Sequence, residues 1–247
     1  MPTRLSEIST RAPKDLNKED AREQLENIVE ELDELQNLLF ADGNYSVLAV
    51  IQGMDASGKD GAIKNVFGKL NPQGVSVTSF KVPTAEEAAH DFLWRIHKNT
   101  PQKGYIQVFN RSHYESVLVT RVHNDITDET AYRRMKAINQ FEDLLQSDNN
   151  TVILKFYLHV SKDKQLERLN ERLTEPRKHW KANPKDFKEA ELWDKYIKAY
   201  EDVFENCNKP EWIIVPSDQN WNKEYTIASA LLNALRKLDM KYPEAKM

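Results

Sequence analysis

The stretch VIQGMDASGKDGAIK, residues 50–64, sets Gly53, Gly58 and Lys59 in the pattern G-x-x-x-x-G-K. At that spacing, loop residues Gly53, Ala56, Ser57, Gly58 and Gly61 can turn their backbone N–H groups inward on phosphate oxygens. A helix starting there adds partial positive charge. Lys59 then bridges the phosphates near a transferred group. Asp60 departs from the usual pattern, which has Ser or Thr after the lysine, and Asp55 lies inside the loop itself. Two carboxylates beside a phosphate repel it unless cations lie between them. Magnesium takes one or two carboxylates together with phosphate oxygens, so Asp55 and Asp60 read as ligands in a cradle for metal-covered phosphate. Asp60 also reads as a helix-start acid favoured by the dipole; the two roles are compatible.

A second chemical stretch is VFNRSHYESVLVTRVH, residues 108–123. Asn110 ends a predicted strand where a metal-organising acid often sits. Arg111 can clamp a phosphoryl group through its planar fork. Glu115, five residues on, can restore the missing acid as a third metal ligand; alternatively Arg111 and Glu115 simply pair as a cap. His113 has no visible metal partners and reads as structural. A third stretch, KDKQLERLNERLTEPRKHWK at 162–181, is dense in cations. Arg168 and Arg172 share a helix face, Pro176 ends that helix, and Arg177, Lys178 and Lys181 extend the positive surface. Such a segment between strands suits a lid that closes on phosphate and excludes water. It also reads as a solvated face salted with Glu167, Glu171 and Glu175. Lys81 follows a strand and should face the ligand side, and Arg95 interrupts an otherwise apolar helix.

These residues need elements to hold them. Near-continuous or alternating apolar runs predict strands at 46–52, 75–80, 105–110, 151–160 and 212–216. Between them lie helical patterns near 59–70, 84–99, 113–123, 127–147, 161–173, 185–206 and 221–240. An earlier helix starts at Asn17 and repeats Leu25, Ile28, Val29, Leu32, Leu35 and Leu39 on one face, before 42–44 breaks it. Strand–helix alternation predicts an α/β fold, three layers around a parallel sheet. Ligands in such sheets lie beyond the carboxyl ends of the strands, which is where the motifs fall. The expected organisation is an N-terminal arm and helix at 1–44 and a core at 45–247, with a lid at about 162–185.

The chain has 247 residues, 40% hydrophobic and 30% charged, and a net charge of −4. That balance offers no long-range attraction for nucleic acid, so a polyanion needs a local basic patch. The single cysteine, Cys207, allows no internal disulfide and reads as structural. No run approaches the ~20 apolar residues that span a bilayer, and the N-terminus lacks an apolar signal core. The expectation is a soluble, unexported, cytoplasmic protein without a membrane partner.

The motifs QGMDASGKDGAIK, NPQGVSVTSFK, HDFLWRIHK, FNRSHYESVLVTRVH, LKFYLHVSKDKQLERL and PRKHWK, in this order, resemble the polyphosphate kinase 2 family over roughly residues 30–243. The resemblance implies a P-loop kinase core similar to nucleoside monophosphate kinases, with a helical lid. It implies reversible, Mg2+-dependent phosphoryl transfer between inorganic polyphosphate and a nucleotide, with adenine nucleotides expected and guanine nucleotides left open. It also implies a homo-oligomer, dimer or tetramer. The family's loop residues fall on Asp55, Lys59 and Asp60, its second motif on Asn110, Arg111 and Glu115, and its lid cations on Arg168, Arg172 and Lys178. Lys81, Arg95 and Arg121, with the lid, would contact the rest of the polyphosphate. FNRSHYE resembles the subgroup that accepts both AMP and ADP. Many diphosphate-preferring members carry Asp at the position of Asn110 and Asn at that of Glu115. The alternatives are an ATP-dependent nucleoside monophosphate kinase and a non-catalytic binding module.

Overall fold

The structure is a computed structural model and describes residues 3–245. Five strands, β1 (Ser46–Gln52), β2 (Val75–Ser79), β3 (Ile106–Asn110), β4 (Thr151–His159) and β5 (Trp212–Pro216), form one sheet in the order β2-β3-β1-β4-β5. Every pairing is parallel. All seven residues of β1 are buried, as expected of a central strand covered on both faces. Its side chains alternate between two cores, with Val47, Ala49 and Ile51 on one side and Leu48 and Val50 on the other. The helices α1 (Lys18–Asp42), α2 (Lys59–Val66) and α10 (Asn220–Leu235) cover the first face, through residues such as Leu32, Leu39, Val66, Ile227 and Leu231. The helices α5 (Glu115–Val122), α6 (Asp128–Asn149) and α9 (Trp193–Asn206) cover the second, through Leu118, Ile138, Val203 and Phe204. The expected three-layer α/β architecture is therefore present. No helix among the described residues is long and apolar enough to cross a membrane.

The register places the ends that matter side by side. Ile51 pairs with Asn110 and Gln52 with Tyr157, so the turns leaving β1 and β3 open on the same edge. Two expected helices are each divided. Residues 84–99 form α3 (Ala85–Ala88) and α4 (Trp94–His97). A Thr84–Glu87 capping box starts α3. Asp91 then accepts from the Leu93 backbone N–H at 2.9 Å and restarts the chain in a new direction. Residues 185–206 form α8 (Pro184–Glu191) and α9, separated at Leu192. With α7 (Lys162–Thr174) and the 3-10 turn Pro176–Lys181, α8 makes the helical segment between β4 and β5. The N-terminal segment docks on the opposite layer. Leu5 is buried, its N–H donates to Glu201 Oε1 at 2.8 Å, and His159 Nε2 donates to the carbonyls of Leu5 and Ile8.

Candidate active site

The chain leaves β1 at Gly53 and re-enters helix at Lys59. Gly53 has φ 150°, and a Cβ there would meet Ser57 Oγ at 2.8 Å and Leu158 at 3.0 Å, so no larger residue fits the turn. Ala56 and Gly58 both have positive φ, 59° and 98°, which curls the loop back on itself. Lys59 is buried, and its Nζ donates to the carbonyls of Gly53 at 2.7 Å and Met54 at 3.0 Å. Burial, and then the nearby Arg111 cation, lower its pKa to about 8, against the pull of Asp55, Glu115 and Asp60. The lysine is a cation held poorly solvated at the loop, the state in which an arriving anion gains most.

Arg111 stands at the turn after β3 with φ 63°. Its N–H bonds to Ile51 O at 3.1 Å, which ties this turn to β1. Its guanidinium reaches two acids at once: Nη2 pairs with Asp55, and Nη1 donates to Glu115 Oε2 at 3.0 Å. Burial works against the Arg111 charge, but the carboxylates of Glu115 and Asp55 outweigh it and raise its pKa further, so the charge is permanent. The cap pairing with Glu115 thus exists, and it is half of a bridge that extends to the phosphate loop. Asp60 accepts from Asn110 Nδ2 at 3.0 Å and from Lys181 Nζ at 2.7 Å. Asn110 and Glu115 therefore hold different sides of the site, one toward Asp60 and one toward Asp55.

The turn carrying Arg111 is anchored from beneath. Ser112, His113 and Tyr114 are fully buried. Glu142 Oε1 accepts from Tyr114 Oη at 2.8 Å and lies 3.2 Å from His113 Nε2, while Lys155 Nζ donates to Glu142 Oε2 at 2.7 Å and to Cys207 O at 2.9 Å. His113 is structural, as its lack of metal partners in sequence suggests. Burial pushes the Cys207 thiol up to about 12, so this cysteine is an inert part of the same core.

A groove of 810 Å³ opens over the loop. Lys59, Lys81, Arg111, Arg168, Arg172, Lys178, Lys181 and Lys223 line it, against the carboxylates of Asp55, Asp60, Glu171, Asp186 and Glu224. Most of the residues singled out in the sequence converge here. Two do not. Arg95 is buried, with Nη1 donating to Lys81 O at 2.8 Å and the guanidinium 5.4 Å from the Phe80 ring centroid. Arg121 bonds to Asp128 at 2.7 Å and Asp202 at 2.6 Å. Each supports a neighbouring element instead of lining the groove, because its helix turns that face into the protein.

Arg168 also differs from an exposed lid cation. Its guanidinium donates to the carbonyls of Ala56 (3.1 Å), Ser57 (3.0 Å), Ser217 (2.8 Å) and Asp218 (3.2 Å). It fastens the phosphate loop to the turn after β5. Gln165, which the sequence did not single out, donates to Asp55 O at 3.0 Å from the same helix. Arg172 and Lys178 are paired within their own segment, Arg172 to Asp186 at 2.5 Å and Lys178 to Glu171 at 2.7 Å and Glu175 at 2.9 Å.

Asp55, Asp60 and Glu115 have the hard oxygens that magnesium requires. They do not form a ready-made three-acid cluster, and none exists among the described residues; cations of the chain hold each of them. Such a cluster is not needed, since magnesium at phosphate sites uses one or two carboxylates with phosphate oxygens and water. The donor chemistry therefore fits.

Behind the Asp55–Arg111 pair lies a tight cleft of 30 Å³, walled by Met54, Leu118, Val119, Glu189, Tyr196 and Tyr200. Tyr196 Oη donates to Glu189 at 2.8 Å. Lys223, Tyr196 and Tyr200 escape a motif reading because each sits in ordinary amphipathic helix. The one available signal for Lys223 is that its helix follows directly on a strand end, the edge where ligands gather.

The sequence profile described as polyphosphate kinase 2 (PPK2) matches residues 15–243. The chain is 44% identical over 229 residues to the AMP/ADP-polyphosphate phosphotransferase of Meiothermus ruber, covering 92% of this chain and 85% of that one. It is 41% identical over 242 residues to the ADP-polyphosphate phosphotransferase of Rhodopseudomonas palustris, with 92% and 83% covered. The crystal structure of polyphosphate kinase 2 from Arthrobacter aurescens superposes with a TM-score of 0.90 at 37% identity, over 100% of this chain and 94% of that one. With the loop, the arginine bridge and the cationic groove on the same strand ends, the chain belongs to the polyphosphate kinase 2 family.

Proposed function

We propose that this protein transfers a phosphoryl group from inorganic polyphosphate to AMP and to ADP, reversibly, giving ADP and ATP. The observation that carries the reading is the groove. It has a volume of 810 Å³, its walls hold eight cations to five carboxylates, and it meets the phosphate loop at Lys59. A single nucleotide tail needs fewer cations; a polyphosphate chain uses them along its length. The similarity to relatives named for AMP/ADP and for ADP transfer supports both acceptors. So does the arrangement in which Asn110 serves Asp60 while the acid sits at Glu115.

In the reaction, an acceptor phosphate oxygen attacks the terminal phosphorus, and the bridging P–O bond behind it breaks. The product polyphosphate is one phosphate shorter. Lys59 turns from the loop carbonyls to the oxygens of the moving group, and Arg111 offers its remaining donors from the other side. Such transfer depends on positioning and charge stabilisation more than on covalent chemistry. Magnesium, when bound, neutralises charge on the phosphate oxygens, and Asp55, Asp60 and Glu115 would hold it. Arg172, Lys178 and Lys181 exchange their carboxylate partners for phosphate as the segment between β4 and β5 closes and excludes water. The cleft beyond Asp55–Arg111, where Leu118, Val119, Tyr196 and Tyr200 stand beside Glu189, offers the nucleoside both apolar and hydrogen-bonding walls, and at 30 Å³ it must widen to take it.

A time course from AMP with magnesium and excess polyphosphate tests this. ADP should appear first and ATP after it, and a chelator should stop both steps. ADP accumulating without ATP removes the second acceptor. Phosphorylation of AMP by ATP but not by polyphosphate would make the protein an ATP-dependent nucleoside monophosphate kinase.

A further inference from the structure

Lys223 stands in the first turn of α10 and is 1% exposed. Its Nζ lies directly against the phosphate loop: a Cβ added at Gly58 would overlap it, and would lie 3.7 Å from Arg168 Nη1. The ammonium donates to Asn220 Oδ1 at 3.0 Å, and no carboxylate among the described residues bonds to it, Glu224 acting through its charge alone. Its sequence neighbour Glu224 turns away to accept from Asn65 Nδ2 at 2.7 Å. Arg168, the cation beside it, also reaches Asn220 Oδ1, at 3.3 Å. Burial first, then Arg168, lower the Lys223 pKa to about 8.

The Asn220 acceptor and the charge of Glu224 favour the ammonium, but burial and the adjacent cation outweigh them. The site is buried, a guanidinium is adjacent, and the positive end of α2 begins at Gly58. A buried charge without an opposite partner is costly, and a structural role would be served as well by a neutral side chain. The same features favour an anion, and Lys223 is part of the groove wall.

We propose that Lys223 is a polyphosphate-binding residue: it contacts a phosphate of the donor chain on the α10 side of the loop, next to the one the loop itself cradles. The inference rests on the polyphosphate reading above. It adds a subsite that explains why an unpaired ammonium is kept buried.

Lys223→Met keeps the aliphatic stem and removes the charge. KM for polyphosphate should rise about ten-fold, the loss of one charge-assisted contact, while KM for ADP changes less than about two-fold. The melting temperature should stay level or rise, because an uncompensated buried charge has gone. An unchanged KM for polyphosphate overturns the proposal. So does a rise confined to KM for ADP, which would assign the lysine to the acceptor. A lower melting temperature with unchanged KM makes Lys223 structural. Lys223→Gln serves as the second variant if the methionine form does not fold. If the unmodified protein shows no polyphosphate-dependent turnover, the functional reading itself has failed. Calorimetric titration with inorganic tripolyphosphate then decides the subsite separately: about ten-fold weaker binding by the variant supports it, and equal binding overturns it.

Discussion

At the scale of single residues, the site contains two aromatic surfaces that could meet a nucleobase. Trp180 is 79% exposed at the groove rim, and Tyr196 walls the cleft behind Asp55 and Arg111. The rim is crowded with lysines, which suit phosphate, whereas the cleft joins apolar side chains to Glu189, an acceptor for a base amino group. Tyr196→Ala is expected to raise KM for ADP about ten-fold, as loss of an aromatic contact would, with Trp180→Ala within about two-fold of wild type. The opposite pattern in steady-state kinetics would place the base at the rim. Lys223 gives a pH prediction as well. Its folded pKa of about 8 lies below the ordinary lysine value of 10.5, so between those values the unfolded chain binds more protons. Its penalty is complete below about pH 8 and fades as pH rises toward 10.5. In urea unfolding, any stability advantage of Lys223→Met should be larger at about pH 7.5 than at about pH 9.5; a constant difference contradicts the burial account. The residues legible in sequence were those with local grammar. Gly53, Gly58 and Lys59 declare a loop by spacing alone, and Asn110, Arg111 and Glu115 follow a strand. Arg95 and Arg121 show the limit, because the direction a helical arginine faces depends on packing that its own segment does not encode.

At the scale of elements, the phosphate loop is held in shape by its neighbours. Arg168 on α7 donates to two loop carbonyls and to two more in the turn after β5, and the Glu142–Lys155 pair anchors the turn that carries Arg111. Removing Arg168 strips charge-assisted bonds from carbonyls in a partly buried place, so Arg168→Ala should lower both stability, on the order of 2 kcal/mol, and the rate of transfer. Chemical denaturation and kinetics on the same protein check it. Normal stability with lost turnover would return Arg168 to the role of an exposed lid cation, the role its helical spacing with Arg172 suggests in sequence. The order of strands and helices was readable because their apolar runs are long and distinctly periodic. The breaks at Asp91 and Leu192 were not: one depends on a side chain bonding to backbone, the other on how two amphipathic stretches pack. Lys155 sat in plain view within the apolar run of β4, and its partner Glu142 lies on α6 in a separate part of the sequence.

At the scale of the whole molecule, the cationic segment between β4 and β5 is held by carboxylates it would need to release. Lys181 grips Asp60, Arg172 grips Asp186, and Lys178 grips Glu171 and Glu175. These are partly exposed pairs, each worth about 1 kcal/mol or less, so a polyanion carrying several phosphates can displace them together. The overall charge of −4 adds no attraction; the gain must come from the groove, where cations outnumber acids. Polyphosphate should therefore tighten this segment, which Lys181 already ties to Asp60 of the loop, and order the turn Pro176–Lys181, in which Arg177 is exposed and Lys178 and Lys181 are partly so. All three are trypsin sites, which makes closure measurable without turnover. Limited trypsin digestion followed by mass spectrometry should show cleavage within 176–181 slowing several-fold when polyphosphate and magnesium are added, with little change at Lys237 or Lys241 near the C-terminus. Cleavage at an unchanged rate, under conditions where binding is confirmed by calorimetry, would mean that the segment is a fixed wall of the groove and that water is excluded by some other element.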